Sequence, residues 1–199
     1  MTRRRTEAVV IGGSAGALDA LSLLLPPLPR GFSLPVAIVL HLLPGKPSGL
    51  VPVLQDYAEL PVKEAEDKEP LAQGSVYVAS PNYHLLIERE RCFSLSVDDA
   101  VLFSRPSIDV LFESAADAYG PGLVGVLLSG ANEDGARGLA RIRAHGGIAL
   151  VQAPDSAHAR PMPEAALART AVDGVLPPAE LGRALAALGA LAATTTEVA

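Results

Sequence analysis

Near the amino end of the chain, Gly12-Gly13-Ser14-Ala15-Gly16 sets a serine between small neighbours, where an apolar run gives way to a helical pattern. Ala8-Val9-Val10-Ile11 before it reads as a buried strand, and Ala17 to Leu24 after it as an apolar-rich helix. A serine at that junction points into the crevice beyond the strand's carboxyl end, where open α/β sheets collect their ligands. The small flanks let a substrate come close, and free N–H groups at the helix start can face a developing oxyanion. The pentapeptide fits the G-x-S-x-G pattern of a nucleophile elbow, yet glycines after a first strand also build phosphate cradles and dinucleotide turns. Ser14 therefore has to be judged by its partners.

A serine hydroxyl becomes a useful nucleophile when a base within about 2.6–3.2 Å accepts its proton, and imidazole does this near neutral pH. His41 ends a second apolar run, Pro35 to Leu40, so a parallel sheet brings it to the edge where Ser14 lies. A carboxylate must then hold the imidazole in one tautomer and stabilise the imidazolium. Ser129-Gly130-Ala131-Asn132-Glu133-Asp134-Gly135 follows the apolar run Leu123 to Leu128 and reaches the same edge. Asp134 is the candidate, with Glu133 as runner-up and the more solvent-facing of the two. His84 reads as a satisfied strand or turn histidine, His145 as a helix-end residue beside Gly146-Gly147, and His158 as part of a proline-bounded loop. No histidine pair has zinc-site spacing, and neither metal nor cofactor is expected.

Composition limits the alternatives. With 199 residues, 49% of them hydrophobic, the chain suits one folded domain, its core at about 7–191. No apolar run approaches the ~20 residues that span a bilayer, and the basic start lacks the long apolar stretch of a secretory signal, so a cytoplasmic location is expected. One cysteine, Cys92, rules out an internal disulfide and is read as packing. A net charge of −6 and the absence of tryptophan argue against nucleic acid, which needs basic stripes and stacking platforms.

The elements needed to carry these residues alternate along the chain. Strands are expected at 8–11, 35–40, 60–63, 123–128, 148–152 and 172–176, and helices at 17–24, 108–118, 136–144, 163–169 and 178–191. Gly74 to Ala79 and His84 to Glu88 flank the turn residues Ser80-Pro81-Asn82 and are expected to pair antiparallel, with 91–97 extending the meander. The tail from Thr194 is expected to fray. The fold class is thus a doubly wound α/β domain, mostly parallel, with helices on both faces and an antiparallel hairpin region.

Over nearly its whole length the sequence resembles the catalytic domain of CheB-type chemotaxis protein-glutamate methylesterases. Ser14 in Ile11-Gly12-Gly13-Ser14-Ala15-Gly16 looks like that family's nucleophile motif, His41 in Val39-Leu40-His41 matches its histidine, and Asp134 falls on its aspartate. Gly74 to Ala79, Arg105-Pro106-Ser107-Ile108-Asp109-Val110-Leu111-Phe112 and Met162-Pro163 with Ala165-Ala166 extend the match. The order Ser, His, Asp also departs from the Ser, Asp, His order of α/β-hydrolases.

The resemblance implies hydrolysis of glutamyl methyl esters on chemoreceptor helices or a receptor-like protein, and deamidation of receptor glutamines. It implies Ala15, Gly130, Ala131 and Arg105 as oxyanion or substrate contacts. Gly130-Ala131-Asn132 stands where the family commonly carries Gly-Met-Gly, and Arg160 replaces the more usual glycine before Met-Pro. With the first strand beginning within ten residues of Met1, no amino-terminal receiver domain is expected before it, and control by a separate partner or by receptor proximity is expected. Two other classes remain open: a related serine esterase with a non-receptor substrate, and a non-catalytic module that binds a signalling partner. A nucleotide-binding domain is a weaker rival, because the second strand ends in histidine instead of a ribose-binding acid.

Overall fold

The computed structural model describes residues 5–41 and 49–196. Its centre is a parallel sheet of seven strands: β1 (Ala8–Gly13), β2 (Val36–Leu40), β3 (Val62–Glu64), β4 (Val76–Val78), β7 (Leu123–Leu127), β8 (Ile148–Gln152) and β9 (Gly174–Leu176), in the order β3-β4-β2-β1-β7-β8-β9. β5 (His84–Ile87) and β6 (Phe93–Ser96) form a separate antiparallel pair. The helices are α1 (Ala17–Leu24), α2 (Leu50–Gln55), α3 (Ile108–Tyr119), α4 (Ala136–Ala144), α5 (Pro161–Arg169) and α6 (Pro178–Thr196).

Continuous apolar strands belong in a sheet covered on both faces, and the period-2 side-chain rule divides them between two cores. Val9 and Ile11 of β1 face a core with Ala17, Leu21 and Leu24 of α1, Leu50 and Leu54 of α2, and Leu181 and Leu185 of α6. Ala8 and Val10 face the other, with Leu111, Phe112 and Ala115 of α3, Leu139 and Ile142 of α4, Met162 of α5, and Leu85 and Phe93 of the small sheet. Each such fully buried Leu, Ile or Phe contributes about 1.5–3 kcal/mol.

One expectation is corrected. Gly74 to Ala79 and His84 to Glu88 do not pair with each other. β4 lies parallel between β2 and β3, and β5 pairs instead with β6, through His84 to Ser96 and Ile87 to Phe93. Asn82 takes φ 66°, and the 80–83 turn carries the chain out of the main sheet. One helix boundary also moves. Helix α6 runs on to Thr196, past the expected end at 191, while 197–199 of the expected frayed tail lie outside the described residues. The short α2 was not foreseen.

The connections place the site. From β1 the chain crosses by α1 on one face to β2, and from β7 by α4 on the opposite face to β8. β1 and β7 are neighbours, so the crevice at their carboxyl ends is a topological switch point, the usual ligand position in open α/β sheets.

Candidate active site

Three adjacent strands deliver the three candidates. Gly13 of β1 is in register with Leu40 of β2, so Ser14 and His41, each the next residue, stand about one strand spacing (~4.8 Å) apart along the backbone. His41 N–H still donates to Gly13 O at 3.2 Å, and Ser14 N–H donates to Ser129 O at 2.8 Å beyond β7. The Gly13-Ser14 segment is therefore anchored from both sides. Ser14 is half-buried, Ala15 exposed and Asp134 fully buried.

His41 Nε2 lies 2.7 Å from Asp134 Oδ2. Since a carboxylate only accepts, Nε2 carries the proton and Nδ1 is left as the basic ring atom. Asp134 takes three further hydrogen bonds: Ile108 N–H to Oδ2 at 2.8 Å, Asp109 N–H to Oδ1 at 3.0 Å, and Ser107 Oγ to Oδ1 at 2.9 Å. The backbone donors are the first N–H groups of α3, which have no intrahelical acceptor and carry the positive end of the helix dipole. Burial pushes the Asp134 carboxyl up, but the His41 hydrogen bond and the N–H groups of Asp109 and Ile108 outweigh it and hold it below the ordinary value. Glu133 is exposed, and among the described residues no hydrogen bond joins its side chain to His41 or Asp134.

The two helices exchange carboxylates. Asp134 caps α3, while Asp109, in the first turn of α3, caps α4 by accepting Gly135 N–H at 3.0 Å and Gly138 N–H at 2.7 Å. Burial raises Asp109 to about 6, with the Gly138 N–H opposing, the Asp134 charge adding, and Arg137 Nε 3.5 Å away opposing. Ile108 is the wedge that permits this approach: a Cβ on Gly12 or on Gly135 would collide with its side chain. Gly135 also sits at φ 91°, which only glycine adopts readily.

Other residues hold the loops. Ser129 Oγ donates to Ala15 O at 2.7 Å and accepts Ala159 N–H at 2.8 Å, and Gln152 Oε1 accepts Ser129 N–H at 2.8 Å. His84 is buried, accepting Ser107 N–H at Nδ1 (3.1 Å) and donating from Nε2 to Asp99 O (3.1 Å). Sequence reasoning passed over Ser107, Asp109, Ser129 and Gln152 as site residues. The signal that could have found the first two is a serine at a helix start followed two residues later by an acid. Gln152 and Ser129 act through long-range contacts that carry no local signature.

The contacts implied by resemblance are distributed unevenly. Among the described residues, nothing accepts a hydrogen bond from the Ala15 N–H, which precedes α1 beside Ser14. Gly130 N–H, in contrast, donates to Ala159 O at 3.1 Å, and Met162 packs where its Cβ would be, so its amide is committed to the loop. Ala131 is exposed at the rim. Arg105 Nη1 donates to Val97 O at 2.7 Å and Asp98 O at 2.9 Å, bracing a loop. Among the described residues no group of three or more His, Cys, Asp or Glu could hold a metal, and no helix is long and apolar enough to cross a membrane.

Comparison with known proteins identifies the family and the fold. The family model for CheB methylesterase matches residues 9–185. Two Leptospira interrogans sequences, named putative protein-glutamate methylesterase/protein-glutamine glutaminase, are each 49% identical over 85% of this chain and 88% of their own length. Protein-glutamate methylesterase FrzG of Myxococcus xanthus is 38% identical over 89% of this chain, which spans 53% of that protein. The crystal structure of the Thermotoga maritima CheB methylesterase catalytic domain superposes with a TM-score of 0.88 at 31% identity, covering 92% of this chain and 98% of that one.

Proposed function

The chain belongs to the CheB methylesterase family, and from that premise we propose that it hydrolyses glutamyl methyl esters on chemoreceptors or receptor-like proteins, with Ser14 as nucleophile, His41 as base and Asp134 as its orienting carboxylate. The observation that carries the reading is the 2.7 Å hydrogen bond from His41 Nε2 to a buried, helix-capping Asp134, with Ser14 and His41 each following one of the in-register residues Gly13 and Leu40.

In the first step His41 Nδ1 takes the Ser14 hydroxyl proton as Oγ bonds to the ester carbonyl carbon, and the carbonyl π electrons move onto oxygen. The Ala15 N–H is the donor best placed for that oxyanion, next to the amino end of α1. Collapse breaks the carbon–methoxy bond, and His41 returns its proton so that methanol leaves. Water, deprotonated by the same nitrogen, then attacks the acyl-serine and regenerates Ser14 with a free glutamate. A glutamine side chain follows the same course with ammonia as leaving group, consistent with the glutaminase activity in the names of the Leptospira relatives.

The partner in this reading is a methylated receptor segment, engaged from water. Methanol release from a methylated receptor fragment is the test: wild type should release it and Ser14→Ala should not. Cleavage of simple esters without methanol release from receptor would move the substrate to another ester class.

A further inference from the structure

Between β6 and α3 the chain forms a tip that backbone preference opposes. Val101 and Ser104 exchange two hydrogen bonds, at 3.1 and 2.9 Å, closing a two-residue turn. Leu102 at φ 47° and Phe103 at φ 64° both occupy the left-handed region, where such turns favour Asn-Gly or Gly-Gly. A large side chain held there marks strain that the surroundings must impose. Those surroundings are present: Arg105 Nη1 grips the carbonyls of Val97 and Asp98, and buried His84 grips that of Asp99.

Burial does not compensate the strain. Phe103 is fully exposed, Val97 is 67% exposed and Leu102 39%. The tip is also close to the chemistry. Leu102 lines a hollow of about 170 Å³ together with Asp109, Glu133 and Arg137, and the Asp109 N–H donates to Asp134. Phe103 precedes Ser107, which touches Asp134, by a stretch that spans at most ~14 Å. A helix with its side chains is ~10–12 Å across, so a helix offering an ester to Ser14 comes within reach of the tip.

We propose that the Leu102–Phe103 turn is a docking element for the protein substrate: Phe103 seats against an apolar position of the helix that carries the esterified glutamate. This rests on the methylesterase reading above. A second copy of the chain is the poorer occupant. One aromatic side chain buries ~150–250 Å², far from the ~1,000 Å² of a stable interface, but suited to an encounter that must release its product. The ester group is small, and affinity for a protein substrate has to come from contacts away from the reacting atoms.

The test compares Phe103→Gly, which removes the ring and relaxes the turn, with Phe103→Leu, which keeps an apolar contact. Three readouts are taken: thermal midpoint, turnover of p-nitrophenyl acetate, and methanol release from a methylated receptor fragment. Phe103→Gly should melt no lower than wild type, cleave p-nitrophenyl acetate within twofold, and lose about tenfold in kcat/KM on the receptor fragment through KM. Phe103→Leu should stay within about threefold on both substrates. Unchanged receptor kinetics in Phe103→Gly, with wild type active, would overturn the docking role alone. Equal losses on both substrates would overturn it too, by showing that the turn acts through Asp134. A wild type active on p-nitrophenyl acetate but silent on methylated receptor would remove the methylesterase reading and this inference with it.

Discussion

Replacing Asp134 by asparagine keeps the shape of the side chain and changes one oxygen into a donor. The wild-type carboxylate accepts four hydrogen bonds, from His41 Nε2 and Ile108 N–H on Oδ2 and from Ser107 Oγ and Asp109 N–H on Oδ1. If the amide oxygen stays with Ser107 and Asp109, the NH2 group opposes Ile108 N–H and forces His41 to bare Nε2. The proton then sits on Nδ1, the nitrogen proposed to take the Ser14 proton. In the flipped amide the NH2 opposes Asp109 N–H, and the imidazolium loses its counter-charge. Either way one buried N–H is unpaired, costing about 1–3 kcal/mol of stability. A wrong imidazole tautomer costs on the order of 10⁴ in kcat, or about 5.4 kcal/mol. Glu133→Gln, exposed and away from His41, should change stability by no more than about 0.5 kcal/mol and leave kcat within about twofold. Urea denaturation measures the first quantity, and ester turnover by the folded fraction the second. A folded Asp134→Asn retaining kcat within tenfold, or a larger loss in Glu133→Gln, would refute the assignment.

Asp109 predicts an unusual acid stabilisation. Its folded pKa of about 6 exceeds the reference 3.8, so the folded state binds more protons between those values. Its contribution therefore grows as pH falls from 7 to 4, is complete below the unfolded value, and is lost as pH rises through 6, a span on the order of 2–3 kcal/mol. Asp134, shifted the other way, withdraws stability only as pH falls below its ordinary range. Asp109→Asn should abolish the rise in urea midpoint between pH 7 and pH 5; an identical pH response in both proteins contradicts it. Gly16→Ala should cost about 1–2 kcal/mol or more in denaturant melts and lower turnover, because φ is 78° and the new Cβ meets His158. Ser107→Ala should cost about 1.5–3 kcal/mol, the range for a hydrogen bond to a charged acceptor, and lower kcat less than Asp134→Asn does; equal kcat losses would mean that Ser107 does more than hold the carboxylate.

Much of the sheet was legible because its strands are short, apolar and bounded by helical patterns. β1, β2, β7 and β8 follow from that rhythm, and their edge positions brought Ser14, His41 and the 129–135 loop together on paper. Alternation around Tyr77 and Leu85 identified strands but not their partners, since pairing is a long-range choice. Tyr77 is buried between β2 and β3, which local pattern does not encode. The α2 segment escaped notice because six residues containing Pro52 show too little periodicity. The reciprocal capping by Asp109 and Asp134 was equally hidden: each acid looks like an ordinary helix-start residue until the two helices are seen side by side.

The central claim is that Ser14 is made nucleophilic by His41 held on Asp134. A serine-directed phosphonate, followed by intact mass and peptide mapping, tests it most directly. One equivalent should attach at Ser14, labelling should fall at least ~100-fold in His41→Gln, since general-base assistance contributes 10²–10⁴, and Ser14→Ala should take none. Label at another residue, with Ser14→Ala retaining full turnover, would contradict the account.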